Sequence, residues 1–354
     1  MRPIIINGTV LCDPITGIPR YVYEVVTRLD ALLAGTGLDV RLVYRDDGRP
    51  LQLPADQPLK NIRLVPLKAV RYCFNLLVLP RYLRQNGAYY CGFASDVTIT
   101  RPSAVVLHDI RPLVMAGDKA AFRFKFLVHC KTIARYAGEI YTDSENQRQL
   151  IIEKLGIPAD KLGVVYAGWE HIGEVEADEG IFAKNPQLKR GGYYYALGSM
   201  APHKNYRWVR EVAARNPDKT FVVAGGKNLR SFGDDAEAVN TDNILYPGYV
   251  TDGENKSLMQ HCKAFLHPAL FEGFGIPPLE ALALGAPVMV SNASCLPELY
   301  GGCVRYFDPN DYTVDLDALL AQPVAPPDAL LKKYSWDATA RFWLAQFKRY
   351  ALTP

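Results

Sequence analysis

Residues 271–288 read FEGFGIPPLEALALGAPV, and this stretch decides the fold. The short apolar runs on either side of it, Ala264–His267 and Pro287–Ser291, are typical of buried strands. Between them, Pro278–Leu284 has the composition of a helix with a proline in its first turn, where proline is tolerated. A strand, a helix and a second strand in this order predict a parallel sheet covered by helices.

The same alternation of short strands and longer helices runs along the whole chain. The other predicted strands are Ile4–Asn7, Val40–Tyr44, Ala104–Leu107, Glu139–Thr142, Tyr194–Leu197 and Thr220–Ala224. The other predicted helices are Tyr21–Leu33, Ala120–Ala137, Asn146–Leu155, Asn205–Arg215 and Trp336–Tyr350. Because each half of the chain has its own alternating set, the sequence predicts an α/β fold with two parallel sheets.

A chain of 354 residues is long enough for two domains. We expect a Rossmann-like domain over residues 1–170 and another over 193–335, with the final stretch, 336–354, packing back on the first. Residues 171–192 contain an acidic cluster and end in two glycines, which predicts a polar linker. Ligands bind beyond the carboxyl ends of the strands in open parallel sheets, so two facing domains would present two sites across an interdomain cleft.

Composition excludes several classes of protein. With 49% apolar and 22% charged residues, the chain can form ordinary globular cores. Its seven cysteines are scattered without a Cys-x-x-Cys pair, which argues against a disulfide scaffold or zinc site and for the cytoplasm. No apolar run approaches the roughly 18 residues that a membrane span needs, and the N-terminal run is too short for a signal peptide. The histidines show no ligand spacing, so we predict no metal and no cofactor.

Positive charge is concentrated in residues 60–135, which hold thirteen Lys and Arg against three acidic residues. Residues 119–135 place Phe122, Phe124 and Phe126 among basic side chains and predict an amphipathic helix. A basic amphipathic face suits an anionic membrane surface or a phosphorylated acceptor. The alternative is an ordinary solvated helix face whose other side lies in the core. No nucleic-acid-binding motif accompanies the charge, so nucleic acid is not an expected partner.

The deciding stretch also carries the residues best suited to chemistry. Glu272 lies in the loop after the strand Ala264–His267, and Gly273 and Gly275 let the backbone approach a ligand closely. N–H groups at the helix start, near Ile276–Glu280, form an anion site that suits a diphosphate. Glu280, in the first turn, can accept hydrogen bonds from a sugar diol. The alternative is that both glutamates are solvated acids favoured by the helix dipole.

The pattern Glu-Gly-Phe-Gly-x-Pro-x-Leu-Glu-Ala, from Glu272 to Ala281, resembles the signature of family 4 of the retaining GT-B glycosyltransferases, in particular bacterial polysaccharide mannosyltransferases. The resemblance covers nearly the whole chain. It continues in the glycine turn 16–21, in Leu107-His108-Asp109, and in segments 143–146, 164–168, 198–205, 307–309 and 334–336. It implies a GT-B fold, with an acceptor-side N-terminal domain and a C-terminal domain that binds the nucleotide sugar.

The resemblance also implies a role for each matching residue. Glu280 would bind the nucleotide ribose and Glu272 the transferred sugar, while Lys204 would neutralise the donor diphosphate. With His108, expected at the reaction centre, Glu272 and Lys204 form the predicted catalytic set. The residues implied to bind the donor are Gly17, Ser199, His203, Lys204, Gly273, Phe274, Gly275, Ile276, Leu279 and Glu280.

The phosphate-loop-like segment 198–205 departs from the family pattern. Relatives often have an arginine one or two residues after its glycine, and here Ser199 and Met200 stand there. Ser199 offers only a neutral hydrogen bond, so one cation on the diphosphate is missing, although His203 would compensate in part. Structural roles remain alternatives for His108, as a hydrogen-bonded histidine at a strand end, and for Gly17, as a purely conformational residue.

Three further residues have structural alternatives. Asp109 either contributes to the site or orders its own loop, and Lys204 taken alone is also compatible with a solvated lysine. Asp315-Leu316-Asp317 matches the metal-binding Asp-x-Asp of the other glycosyltransferase fold. Its position at a helix start predicts instead that Asp315 caps the helix.

The predicted function is that of a retaining, metal-independent hexosyltransferase of bacterial cell-surface polysaccharide or glycolipid assembly. Its partners would be a nucleotide-diphosphate sugar and a glycan or lipid-linked acceptor, which would place it in the cytoplasm or peripherally on the inner membrane face. GDP-mannose is the first donor candidate, followed by UDP- and dTDP-sugars. A non-catalytic sugar-nucleotide-binding subunit and an epimerase or phosphorylase on the same fold are the alternatives. A dehydrogenase is disfavoured because no Gly-x-Gly-x-x-Gly follows the first strand.

Overall fold

The structure is a computed structural model that describes residues 1–53, 58–70, 73–96, 99–225 and 242–352. The chain divides into two compact units, each with its own sheet. The first unit comprises Met1–Ala167 and Ser335–Pro354, and the second comprises Gly168–Tyr334. Residues 71–72 and 97–98 of the predicted basic region, and 353–354 of the predicted final stretch, lie outside the described residues.

The first unit is built on a seven-stranded parallel sheet in the order β3-β2-β1-β4-β5-β6-β7. Its interior strand β1 is buried at every position, which explains its unbroken run of Ile and Asn rather than an alternating pattern. Ile4 of this strand pairs with Val40 on one side and Tyr89 on the other. The strands are β1 (Ile4–Asn7), β2 (Val40–Asp46), β3 (Ile62–Lys68), β4 (Tyr89–Gly92), β5 (Ser103–Val106), β6 (Glu139–Thr142) and β7 (Leu162–Val164).

Helices cover this sheet, and the final helix of the chain is one of them. Trp336–Leu352 packs against Ile18–Leu32, and the Trp343 indole N–H donates to the Tyr21 hydroxyl at 3.1 Å. The remaining α-helices in the described part of the unit are Leu79–Gln85, Arg111–Val114, Ala120–Tyr136 and Glu145–Leu155. Shorter turns lie at Thr9–Cys12 and Ala159–Lys161, and a π-helix spans Phe74–Val78.

The second unit has a six-stranded parallel sheet in the order β10-β9-β8-β11-β12-β13. In its core the Trp208 and Phe307 rings stack with centroids 4.0 Å apart. The strands are β8 (Tyr193–Leu197), β9 (Thr220–Ala224), β10 (Ile244–Gly248), β11 (Ala264–His267), β12 (Val288–Ser291) and β13 (Arg305–Phe307). The described helices are Glu170–Glu174, Gly180–Lys184, Tyr206–Arg215, Asp252–Gln260, Ile276–Ala283, Leu296–Tyr300, Leu316–Leu320 and Asp328–Lys333, with 3-10 turns at Pro202–Lys204 and Gly301–Cys303.

The α/β fold with two parallel sheets is confirmed, with local differences. Residues 171–192, predicted as a linker, lie in the second unit and include two short helices, Glu170–Glu174 and Gly180–Lys184. Backbone hydrogen bonds hold this stretch in place: Asp178 N–H donates to the Gly253 carbonyl at 3.0 Å, and Gly191 N–H to the His261 carbonyl at 2.7 Å. Its polar composition reflects a half-exposed path over the unit's surface.

The predicted basic helix is present at Ala120–Tyr136, but its aromatic side chains are not all turned to the core. Cys130 and Ile133 are the buried residues of this helix. Phe122 is 47% exposed and Phe124 is 69% exposed. The solvent-facing side is therefore both basic and apolar.

Candidate active site

The site of the second unit begins where β11 ends. The chain leaves the sheet at His267, forms the loop that contains Glu272, and enters the helix Ile276–Ala283. Gly275 turns the chain with φ 88° and ψ 66°, a left-handed conformation that favours glycine. A Cβ atom there would also lie 3.1 Å from Leu296 Cδ2. The Tyr300 hydroxyl donates to the Gly275 carbonyl, so the turn is held from both sides.

Glu272 has a buried carboxylate that accepts hydrogen bonds from two side chains. Its Oε1 accepts from Lys204 Nζ at 2.6 Å and from His267 Nε2 at 2.8 Å. Burial alone would raise the pKa of Glu272, but the charge of Lys204 and the bond from His267 outweigh it, and the net pKa is lowered. The carboxylate is therefore ionised at neutral pH. The structure brings together two of the three predicted catalytic residues.

Lys204 reaches Glu272 from the loop after β8. It ends the turn Pro202–Lys204, and the His203 carbonyl accepts from the Leu270 N–H at 2.7 Å, which ties this turn to the loop before Glu272. Asn205 follows in a left-handed conformation, and its side-chain amide donates to the Pro309 carbonyl at 3.0 Å. Ser199, also in this loop, is exposed. The loop is therefore built to present the Lys204 ammonium at the carboxyl edge of the sheet.

Glu280 is the second buried carboxylate of this unit. Its Oε1 lies 2.7 Å from His171 Nε2, and both side chains are buried. Within the described parts of the chain, no residue donates a hydrogen bond to its other oxygen, Oε2. One carboxylate oxygen is thus bonded by the protein, and the other has no donor among the described residues.

The helix start offers fewer backbone donors than its sequence, near Ile276–Glu280, predicted. Pro277 and Pro278 have no N–H, and an N–H from Leu279 onward is placed to bond within the helix. The donors that this turn can offer to an anion are those of Gly275 and Ile276. Any diphosphate held here therefore relies more on side-chain charge than the motif alone suggested.

His108 lies in the first unit, at the carboxyl end of β5, with both ring nitrogens engaged. Nε2 donates to the Phe93 carbonyl at 2.8 Å, and Nδ1 lies 2.9 Å from Asp143 Oδ2. The Tyr21 ring packs edge-on against it, with centroids 5.0 Å apart. Burial lowers the pKa of His108, but the Asp143 carboxylate and both hydrogen bonds raise it, and the net shift is upward. The imidazole is fixed in one orientation and favours the protonated form.

Two other residues of the first unit have local roles. Gly17 precedes the helix Ile18–Leu32 with φ 56° and ψ −119°, a backbone conformation that itself calls for glycine. No atom lies within 4 Å of the position where its side chain would begin. The Asp109 carboxylate accepts from the Arg111 N–H at 2.9 Å and so orders its own loop.

Three polar partners were not predicted from the sequence: His267, His171, and Asp143 as the hydrogen-bond partner of His108. His267 had a local signal, because it is the last residue of the strand that leads to Glu272. Asp143 lies in segment 143–146 of the family resemblance, but nothing local paired it with His108, which is 35 residues away. His171 had no signal, since it meets Glu280 across 109 residues of chain.

The Asp-x-Asp segment has a structural role, as predicted. The Asp315 carboxylate accepts from the N–H groups of Asp317 and Ala318 at 3.0 Å each and caps the helix Leu316–Leu320. In the described part of the chain, no group of three or more His, Cys, Asp or Glu is placed to hold a metal ion. Nor does any helix there combine the length and the hydropathy that crossing a membrane requires.

Comparison with known proteins shows which family this part of the chain resembles. Residues 178–310 match the model of the family described as glycosyl transferases group 1. The second unit therefore carries a group 1 glycosyltransferase domain. This glycosyltransferase is 28% identical over 374 residues to O-antigen chain mannosyltransferase B of Escherichia coli, with 96% of the chain and 93% of the relative covered. It is 25% identical to O-antigen chain mannosyltransferase RfbU of Salmonella typhimurium, covering 71% of the chain and 69% of the relative.

Solved structures share the whole fold of the glycosyltransferase. Sucrose-phosphate synthase from Thermosynechococcus elongatus superposes with a TM-score of 0.76 at 15% identity, covering 100% of both chains. The Anabaena protein HepE, solved with UDP-glucose, gives a TM-score of 0.68 at 13% identity, covering 99% of this chain and 100% of that one. At such identities the likeness shows the fold alone, and that fold is GT-B.

Proposed function

We propose that this glycosyltransferase transfers a hexosyl group from a nucleotide-diphosphate donor to an acceptor hydroxyl, with retention of configuration and without a metal ion. The observation that carries the proposal is the ion pair between the partly buried Lys204 and the buried Glu272 at the edge of the second sheet, beside the Gly275 turn. A fixed ammonium suits a diphosphate, and a fixed, ionised carboxylate suits the hydroxyls of a sugar.

In the proposed reaction, the bond between the anomeric carbon and the diphosphate oxygen breaks, and a bond to the acceptor oxygen forms on the same face. The acceptor proton passes to the leaving phosphate. Lys204 stabilises the negative charge that develops on the diphosphate, while Glu272 and Glu280 orient the sugar and the ribose. Positioning and electrostatic stabilisation, rather than a covalent enzyme intermediate, supply the rate enhancement.

For the donor and pathway, we propose GDP-mannose and the assembly of a bacterial cell-surface polysaccharide. Support comes from relatives named as O-antigen mannosyltransferases in Escherichia coli and Salmonella typhimurium. UDP-sugars are the alternative donors, since the structurally similar HepE binds UDP-glucose.

A thermal-shift screen of the wild type against GDP, UDP, dTDP and their sugar conjugates, with and without magnesium, tests the proposal. We expect one nucleotide class to raise the unfolding midpoint without magnesium, because a ligand stabilises the state that binds it. Glu280→Ala should abolish the shift. No shift with any nucleotide would contradict a sugar-nucleotide donor, and a shift without sugar transfer would indicate a non-catalytic binding subunit.

We further propose that the helix Ala120–Tyr136 rests on an anionic membrane surface, where a lipid-linked acceptor would be found. Phe122, Phe124 and Val128 are exposed on this helix beside the exposed side chains of Lys125 and Lys131. Apolar side chains that can enter the interface, combined with basic groups that face anionic headgroups, favour such binding.

Vesicles of phosphatidylglycerol and phosphatidylcholine test this surface. We expect binding at low salt that weakens as salt is added, and weaker binding for Phe124→Ser. Tyr249→Ser is the matched control, because Tyr249 is equally exposed, at 69%, but lies in the second unit. Failure of the wild type to bind anionic vesicles at low salt would refute a membrane role for this helix.

A further inference from the structure

The His171–Glu280 pair differs from an ordinary buried ion pair in being satisfied on one side only. His171 is 4% exposed and Glu280 is 7% exposed, and they meet through Nε2 and Oε1 at 2.7 Å. Among the described residues, Oε2 of the same carboxylate has no hydrogen-bond donor. Although the residue as a whole is buried, Oε2 is not one of the enclosed polar atoms that lack a partner, so a ligand that enters the site can donate a hydrogen bond to it.

The segment that carries His171 is itself firmly anchored. The helix Glu170–Glu174 packs against the helix Ile276–Ala283, which carries Glu280. On one side, the Trp169 indole N–H donates to the Leu331 carbonyl at 3.1 Å. On the other, Lys256 Nζ donates to the Gly173 and Val175 carbonyls at 2.8 and 2.7 Å. The backbone that carries the imidazole is therefore anchored by contacts that do not involve Glu280.

We propose that His171 is a positioning residue for the donor ribose: its Nε2–H fixes Oε1 of Glu280, so that Oε2 is presented to the ribose diol. This inference rests on the proposed function, in which Glu280 binds the ribose. His171 does not itself touch the ligand in this arrangement. It acts by holding the carboxylate in a single orientation before the donor arrives.

The physical benefit is preorganisation. A glutamate side chain has several rotamers, and fixing one of them upon ligand binding costs free energy that a prior hydrogen bond removes. Each carboxylate oxygen has two lone pairs, so Oε1 can keep its bond from His171 and still accept a second bond beside Oε2. Both hydroxyls of a cis-diol can then be bound by one carboxylate.

The test compares ribose and dideoxyribose ligands on matched variants. Affinities of GDP and UDP, and of their 2′,3′-dideoxy analogues, are measured by calorimetry for the wild type, His171→Ala and His171→Gln. The control is His261→Ala, because His261 also pairs with a glutamate in the second unit, Glu179, at 3.2 Å, but its side chain is partly exposed, at 33%. Unfolding midpoints of all variants are recorded in parallel.

We expect the wild type to prefer the ribose form, and His171→Ala to lose about tenfold of that preference, as expected for a hydrogen bond to a charged group. Affinity for the dideoxy form should be unchanged, since it makes no use of Glu280. His171→Gln retains an N–H donor and should recover part of the preference, and His261→Ala should behave as the wild type.

Two results would overturn the inference, and they have different meanings. If His171→Ala weakens the ribose and dideoxy forms alike, or leaves the preference intact, His171 is only a structural residue while the proposed donor site stands. If the wild type binds neither GDP nor UDP, the inference fails, and if it binds no nucleotide diphosphate of the thermal-shift screen, the proposed function fails as well. The preference ratio is internal to each variant, so partial destabilisation by the alanine does not obscure the outcome.

Discussion

Two histidine–carboxylate pairs, one in each unit, use the same chemistry in opposite ways. In the first unit, His108 is bonded at both nitrogens, to Asp143 and to the Phe93 carbonyl, so the histidine is immobilised. In the second unit, His171 bonds one oxygen of Glu280 and leaves the other without a described donor. The first pair is closed within the protein, whereas the second is open to a ligand.

The difference shows that a motif histidine is not necessarily the group that meets the substrate. His108 lies in the motif that resembles the family pattern, yet its ring is satisfied by its own unit. His171 lies outside every motif and yet prepares a carboxylate that is open to a ligand. Which member of a pair is available depends on the hydrogen bonds that surround it, and residue type alone does not reveal it.

The largest effect should follow from Glu272→Gln. Loss of the buried negative charge removes the proposed sugar contact and leaves the Lys204 ammonium without its carboxylate, so we expect sugar transfer to fall by about 100-fold or more. Turnover is measured with the donor found in the thermal-shift screen. Glu179→Gln, in the exposed pair with Arg190, is the control and should retain full turnover. Unchanged transfer by Glu272→Gln would remove this residue from the chemistry.

Lys204→Gln should have the next largest effect, and it should act on donor binding. The ammonium is the charge proposed to meet the diphosphate, so affinity for GDP or UDP should fall by about tenfold or more, with little change for the monophosphates. Calorimetry of both ligand classes measures this difference. Lys184→Gln removes an exposed lysine that pairs with Glu254 in the same unit and should change neither affinity. Equal loss for mono- and diphosphates would argue against a diphosphate contact.

The His108–Asp143 pair predicts that the stability of the protein depends on pH. The pKa of His108 is raised above its ordinary value of 6.5, so its contribution is fully present below pH 6.5 and is lost as pH rises through the raised pKa. The stability advantage of the wild type over His108→Gln should therefore shrink from pH 6 to pH 9. Urea unfolding at several pH values measures it.

His129, in the same unit, provides a control for which stability should change with pH in the opposite direction. Burial lowers its pKa, with Lys125 adding to the effect, so protonation below pH 6.5 opposes folding. The wild type should lose stability relative to His129→Gln as pH falls below that value. If the stability advantage of the wild type over His108→Gln and over His129→Gln changes with pH in the same direction, the His108–Asp143 pair does not hold His108 in its protonated form.

The sequence predicts the fold far better than it predicts the partners in the site. The strands Ile4–Asn7, Glu139–Thr142, Thr220–Ala224 and Ala264–His267 are predicted at the bounds that the structure has, because each is an apolar run bounded by polar or turn residues. Strand β10 is missed, since Pro247 and Gly248 break its apolar pattern. Strand β7, with three residues, is too short to give a periodic signal.

The contacts of the site depend on tertiary packing, and this is why local sequence does not reveal them. Glu272, Glu280 and Lys204 are predicted from their motifs, but the bond between His171 and Glu280 joins residues 109 positions apart. The shortage of backbone donors at the helix start, in contrast, is readable in the sequence. Two adjacent prolines there cannot donate, whatever the surrounding structure.

The smallest expected effect is that of replacing Asp315, whose carboxylate accepts hydrogen bonds from nearby backbone N–H groups. It contrasts with Glu280, which has an oxygen without a described donor. Asp315 receives the N–H groups of Asp317 and Ala318 and needs no ligand. Asp315→Ala should lower the free energy of unfolding by about 1 kcal/mol, the usual loss for an N-cap, and leave nucleotide affinity and turnover unchanged. Chemical denaturation and the transfer assay measure the two quantities. Asp218→Ala is the control, since its side chain is 73% exposed and its ion pair with Lys219 should contribute little. Loss of activity in Asp315→Ala without loss of stability would instead favour a metal-binding role for the Asp-x-Asp segment.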